Sequence, residues 1–265
     1  MSVAKKFRKH DHIRIDTIFS LLPIFTVQQN NEFKNIEEKI NGFDFGYEGP
    51  SLNMGMDFKL FCVLMRENCE TIDINIKELL LLVGIPSKRF CKETKDSVLD
   101  SLDRLRKADF SFRNKYRRGG FSIIYETDYN EVSGKISILI NKRLISNMNK
   151  KDNKTFLNYE DLDKKFGKKL LHKKLYLLLK TYGNNKYVKL KWDNILLNLG
   201  INGDRNDAKK RVRKALTDLI KMKEIISFDN IDTDFIKIEM NEKAIKSKTK
   251  VSNIKNKKIE NELPF

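Results

Sequence analysis

The apolar block "NIKELLLLVGI" at residues 75–85 returns in altered form as "WDNILLNLGI" at 192–201. Each is an apolar run closed by Gly-Ile, and each leads into a turn. Their surroundings repeat as well. A helix-patterned stretch, "SLNMGMDFKLFCVLMREN" (51–68), and the β-branched "TIDI" (71–74) precede the first block. "FGKKLLHKKLYLLLKTYG" (166–183) and the alternating "KYVKLKW" (186–192) precede the second. A longer amphipathic helix and strand candidates follow both. Helix, strand, helix, turn, helix, hairpin is the order of a winged helix, and its repetition constrains the fold more than any single motif.

The chain is therefore read as α+β, with two tandem winged-helix domains (helix-turn-helix plus β-hairpin wing) at 51–145 and 166–240. The first 50 residues are expected to be a partly ordered N-terminal segment, and 146–165 a connector. Residues 241–265 are lysine-rich with isolated apolar residues, which predicts a disordered basic tail. A single all-α domain would leave the strands after both third helices unexplained.

The punctuation supports the same division. Ser51 and Asn75 can cap helices, Gly84 and Gly200 can stop them, and Pro86-Ser87 can start one. The first unit's third helix is expected over 86–108, with Cys91, Thr94, Val98, Leu102 and Leu105 inside. Strand candidates "DFSFR", "FSIIYETD" and "GKISILIN" follow, and "NKYRRGG" (114–120) makes a basic tip between the first two. Upstream, "DTIFSLLPIFTV" (16–27) suggests a short helix ended by Pro23, then a strand. "FDFGYEGPSL" reads as strand, turn and helix start.

The most informative stretch is "GDRNDAKKRVRKALTDLIKMKEIISF" (203–228). Asp204 or Asn206 caps its helix. Ala208, Val212, Ala215, Leu216, Leu219 and Ile220 recur at i, i+4, i+7, i+8, i+11 and i+12, a stripe that packs inward. Arg205, Lys209, Lys210, Arg213, Lys214 and Lys221 lie mainly on the other faces, crowded into the first half. Cations near a helix N-terminus oppose the helix dipole by roughly a few tenths of a kcal/mol each. Helix stability does not explain them, whereas DNA phosphates and guanine edges do. The first unit offers Lys88, Arg89 and Lys92 at its third helix, and Arg113, Lys115, Arg117 and Arg118 at its hairpin tip. Glu93, Asp96, Asp100 and Asp103 dilute that helix, so the first unit is expected to be the weaker reader, gripping phosphates or forming a dimer surface.

Composition agrees. The formal net charge is +17 and the pI about 9.6, for which nucleic acid is the first counter-ion to consider and anionic membrane the second. Cys62, Cys69 and Cys91 form no CxxC pair, which argues for a reducing cytoplasm and against a zinc site. The charged N-terminus has no signal-peptide core, and the longest apolar runs are too short to span a bilayer. A cytoplasmic protein with no metal and no membrane association is expected.

Some local stretches add a family resemblance. "PIFTVQQN" (23–30) followed by "YEGPSLNMGMDFKLFCVLM", then "TIDINIKELLLLVGI" and "DSLDRLRKADFSF", resembles the iteron-binding plasmid replication initiators, the RepA, RepE and TrfA group. The resemblance covers roughly residues 20–240 and rests on architecture and loose patterns. It implies a non-enzymatic protein whose second winged helix reads direct repeats in double-stranded DNA. The first unit would contact the backbone or mediate dimers, with a monomer–dimer equilibrium and origin opening through host replication proteins. It implies no cofactor, and the chain has no GxxxxGK[ST] loop. A tandem winged-helix repressor is the alternative.

Three features invite other readings. "HDH" (10–12) with Tyr176 and Lys180 suggests a nicking site, but the histidines sit in a charged tail and the tyrosine among core leucines. Trp192 suits either base stacking or, more simply, core packing. The C-terminal "ENELPF" resembles the acidic tip of bacterial single-stranded-DNA-binding proteins. There Glu262, Leu263, Pro264 and Phe265 would form a peptide ligand for a replication partner, the aromatic ring filling an apolar pocket.

Overall fold

The computed structural model describes residues 13–16, 23–27, 33–40, 43–116, 118–148, 154–157, 159–182, 185–201 and 203–241. Among them the chain opens with strands β1 (Ile13–Asp16), β2 (Phe25–Thr26), β3 (Phe33–Ile40), β4 (Phe43–Pro50) and β5 (Leu52–Asn53). Helix α1 (Met56–Glu67), β6 (Thr71–Asn75), α2 (Ile76–Leu82) and α3 (Lys92–Arg106) follow. Next come β7 (Asp109–Arg113), β8 (Arg118–Ser122), β9 (Ile124–Asn130) and β10 (Lys135–Ile140). The connection holds α4 (Lys142–Met148), β11 (Lys154–Leu157) and α5 (Tyr159–Phe166). The second unit is α6 (Leu170–Lys180), β12 (Tyr187–Lys191), α7 (Trp192–Leu199), α8 (Arg205–Lys221), β13 (Ile225–Asn230) and β14 (Phe235–Met240).

The chain is α+β and built of two tandem winged-helix units, and the sheets show it. One sheet has the order β6-β10-β9 and another β12-β14-β13, antiparallel throughout. In each, the strand between the first two helices pairs with the last strand of the hairpin that follows the third. Burial alternates along them, with Ile72 and Ile74 on β6, Ile136, Ile138 and Ile140 on β10, and Ile236, Ile238 and Met240 on β14 turned inward. The turn glycines are required by conformation: Gly84 has φ +80° and Gly200 φ +62°, the left-handed region.

The first unit departs from the expected pattern in several ways. Its third helix does not start at residue 86. Ser87–Arg89 form a 3₁₀ turn, and α3 starts afresh at Lys92 because the Thr94 hydroxyl accepts from the Cys91 N–H at 3.1 Å. Cys91 is consequently exposed, while Val98, Leu102 and Leu105 are buried. The stretch read as one strand, "FSIIYETD", bends at the buried Ile123 and serves two sheets. Its first part, β8, pairs with β7, and its second, β9, pairs with β10. The basic tip expected at 114–120 therefore falls where β7 turns into β8, in an added hairpin and not in the wing, whose turn is Glu131–Gly134.

That hairpin joins β3 and β4 in a four-stranded sheet, β3-β4-β7-β8. The sheet crosses the boundary placed at residue 50, and residues 43–50 are a full strand where a strand, turn and helix start were expected. The short helix expected before Pro23 lies outside the described residues, but the strand after it is present as β2.

Residues 24–27 link the units. Ile24, Phe25 and Thr26 are fully buried. Phe25 meets Phe58 and Phe61 of α1 with ring centroids 5.2 and 5.4 Å apart. β2 runs parallel to β5, and the Met54 N–H donates to the Thr26 carbonyl at 2.9 Å. On its other side the Val27 N–H donates to the Leu199 carbonyl of α7 at 3.0 Å. A second tie is ionic, with Asp163 of α5 accepting from Lys59 of α1 at 3.4 Å and from Lys173 of α6. The buried apolar side chains of both units form one continuous cluster. No helix among the described residues is long and apolar enough to cross a membrane.

A Cβ on Gly200 would stand 2.4 Å from Thr26 Cγ2, whereas at Gly167, also in the left-handed region with φ +52°, it would meet nothing within 4 Å. Gly200→Ala should therefore cost about 1–3 kcal/mol more than Gly167→Ala, which pays only the conformational term. Urea midpoints of the two variants measure the difference. Equal shifts would mean that Thr26 does not rest on this turn.

Candidate nucleic-acid interface

Helix α8 holds the strongest charge asymmetry of any helix among the described residues. It carries Arg205, Lys209, Lys210, Arg211, Arg213, Lys214 and Lys221 against Asp207 and Asp218, seven minus two or +5. The equivalent helix α3 carries Lys92, Lys95, Arg104 and Arg106 against Glu93, Asp96, Asp100 and Asp103, which cancel. Asp204, not Asn206, caps α8, accepting the N–H groups of Asn206 and Asp207 at 2.9 Å each. Ala208, Val212, Ala215, Leu216 and Leu219 are buried as their spacing predicts, and Ile220 is half-buried.

The helix divides its cations into two sets. Lys209 is only 7% exposed, so it is not an outward DNA contact as expected from the sequence. Its Nζ donates to the Thr233 carbonyl of the wing at 2.7 Å and lies 5.4 Å from the Trp192 ring. Burial of that cation is tolerable because a carbonyl and an aromatic face replace water. Arg213 is half-buried, its guanidinium 5.2 Å over the same ring and its Nη2 donating to Asn230 at 3.3 Å. Arg205, though exposed, reaches the carboxylates of Asp193 at 2.9 Å and Asp234 at 3.3 Å.

Trp192 is the anchor of this set. It is fully buried, so stacking on a nucleic-acid base is excluded in this conformation, and its indole N–H has no partner among the described residues.

The outward set is Lys210, Arg211 and Lys214, all exposed. Lys210 pairs with Asp207 at 3.1 Å, a solvent-exposed contact of little energetic weight. Arg211 escaped the sequence reading because it sits on the flank of the helix, beside the polar face but off its centre line. Its signal was present in the run Lys209-Lys210-Arg211. Between the start of α8 and the wing turn lies a cleft of about 580 Å³. Its helix side is Arg205, Asn206, Lys209, Lys210 and Arg213, and its wing side Asp232 and Thr233. The wing carries Asp229 at the end of β13 and Asp232 and Asp234 in its turn, and the turn binds the helix's cations, Arg205 through Asp234 and Lys209 through the Thr233 carbonyl.

In the first unit Lys88 and Arg89 are exposed on the 3₁₀ turn, and Lys92 is the first residue of α3. Arg118 is exposed on β8, in the added hairpin, and Arg117 lies outside the described residues. So do His10, His12 and the tip residues Glu262, Leu263, Pro264 and Phe265. Tyr176 is buried between Phe166 and the ammonium groups of Lys165 and Lys180. Burial, and then the charge of Glu224, push its hydroxyl well above the usual tyrosine range, which disfavours a phenolate nucleophile. No group of three or more potential metal ligands occurs among the described residues.

No protein-family model and no curated protein match this chain. Solved structures do. Domains 2 and 3 of RctB, as a selenomethionine derivative, match with a TM-score of 0.52 at 11% identity, over 84% of this chain and 98% of that one. A second RctB structure of the same domains gives 0.46 at 11% identity, over 86% and 98%. The Pi initiator protein in complex with iteron DNA gives 0.47 at 15% identity, over 71% and 95%. The likeness to RctB domains 2 and 3 is one of fold, and it spans both units.

The division of cations predicts two different phenotypes. Replacing Lys210, Arg211 and Lys214 together by Ala should lower the slope of log affinity against log salt by about 2–3 on duplex DNA, near 0.9 per lost phosphate contact, with unfolding unchanged. Lys209→Ala should instead lower the thermal midpoint and leave that slope within error. Identical effects of the two changes would erase the distinction.

Proposed function

We propose that this protein is a replication initiator of the iteron-binding kind, a non-enzymatic protein that binds repeated double-stranded DNA sites. The observation that carries the reading is the outward face of α8. There an exposed row of lysine and arginine stands on the third helix of a winged-helix unit, where such units enter the major groove. The second unit is the main reader. The first unit, with a neutral third helix and an added basic hairpin, contacts the backbone or another copy of the chain. The resemblance of residues 20–240 to plasmid initiators and the fold shared with RctB domains 2 and 3 support this role. No step in it needs a cofactor, and the protein acts in the cytoplasm.

Origin opening and recruitment of host replication proteins belong to the same proposal. The segment "ENELPF" (260–265) offers an apolar Leu-Pro-Phe beside flanking glutamates, chemistry suited to docking on a basic, pocketed partner.

Selection of random duplexes on the purified chain at about physiological salt tests the reading, since non-specific binding is weak there. An enriched motif that recurs as tandem direct copies beside the gene is the expected result. A motif found singly at a promoter would make the protein a repressor instead, and no enrichment would remove sequence reading altogether. Deleting Leu263–Phe265 should leave DNA affinity intact while impairing replication of an origin plasmid; unchanged plasmid maintenance would dispose of the docking role.

A further inference from the structure

The stripe of α8 opposite its buried face is Asn206, Lys210, Arg213, Lys214 and Thr217, at i, i+4, i+7, i+8 and i+11. These side chains are not equally available. Arg213 is drawn back over Trp192 and bonded to Asn230. Thr217 donates to the Arg213 carbonyl at 3.0 Å. Lys210 and Lys214 end in ammonium groups, point charges with donors only, which suit phosphate oxygens.

Asn206 is different. Its backbone N–H is fixed by the Asp204 cap, so the first turn of the helix holds its Cα in place. Its side chain is exposed, lines the cleft, and makes no hydrogen bond to any described residue. Every charged neighbour in that turn is engaged: Arg205 with two aspartates, Asp207 with Lys210, and Lys209 with the wing. A carboxamide presents one acceptor beside two donors. Adenine's major-groove edge presents the N6 donor beside the N7 acceptor, the complementary pattern. Guanine presents two acceptors there, which would set the amide oxygen against a lone pair.

We propose that Asn206 is the base-reading residue of α8 and that it recognises adenine. Arg205, Lys209 and Arg213 are positioning residues that hold the wing against the helix and leave Asn206 facing outward. The assignment rests on the DNA-reading role proposed above.

The test uses the full chain. Wild type and Asn206→Ala are each put through selection on random duplexes, and the enriched site is then remade with 7-deazaadenine, which lacks N7. Wild type should enrich a motif with an A·T pair whose preference disappears in Asn206→Ala. Affinity for the wild-type site should fall about ten- to a hundredfold, with the salt slope and thermal midpoint unchanged. The 7-deazaadenine substitution should weaken wild type and have no further effect on Asn206→Ala. A wild-type motif that survives intact in Asn206→Ala overturns the assignment alone, as does an equal loss from 7-deazaadenine in both proteins. A wild-type chain that enriches nothing overturns both the assignment and the reading on which it rests.

Discussion

The buried segment Ile24–Val27 is the constraint on which the arrangement of the two units depends. It adds a short parallel strand beside β5, fills the space next to α1 with Phe25, and donates its last N–H to the end of α7. Fully burying an aromatic or branched aliphatic side chain is worth about 1.5–3 kcal/mol, so Ile24 and Phe25 together anchor the segment firmly. The helix end it reaches is the turn between α7 and α8. Gly200, left-handed and against Thr26, is the only residue type that permits so close an approach there. The orientation of the outward face of α8 is thereby fixed relative to the first unit.

Within the first unit a buried carboxylate plays the matching part. Asp57 of α1 is fully buried and accepts from the Asn53 N–H at 2.8 Å, from Ser101 at 2.6 Å and from the Arg104 guanidinium at 2.7 Å. It joins β5, α1 and α3, the first two of which border the linking segment. A charge so deeply placed is tolerated only because its lone pairs are taken up by this set of donors. Arg104 therefore belongs to the framework of α3 and is not part of its outward chemistry.

The second unit handles its excess of positive charge by dividing it. Trp192 gathers Lys209 and Arg213 against its ring, and the acidic wing turn receives Arg205 and Lys209. These contacts close the wing onto the helix. The remaining cations, Lys210, Arg211 and Lys214, face solvent, with the uncommitted amide of Asn206 at the head of their row. Tertiary contacts with Trp192 and the wing, not residue type or position on the helix wheel, separate the framework cations from the solvent-facing ones, since Arg213 shares a stripe with Lys210 and Lys214.

The sequence by itself determined the repeat, the α+β class, the helical stripes and the basic third helix of the second unit. All of these are local patterns of period 3.6 or 2, or a Gly-Ile stop, and they are written in neighbouring residues. Tertiary structure alone decided which partner each strand found. β3 and β4 joined the hairpin of β7 and β8, and "FSIIYETD" was split between two sheets at Ile123, because pairing is set by distant strands and not by alternation. It also decided that Lys209 turns inward and that Arg205 is clasped. Both depend on a wing some two dozen residues downstream and on an upstream neighbour, Trp192 for Lys209 and Asp193 for Arg205, and no spacing within α8 records either.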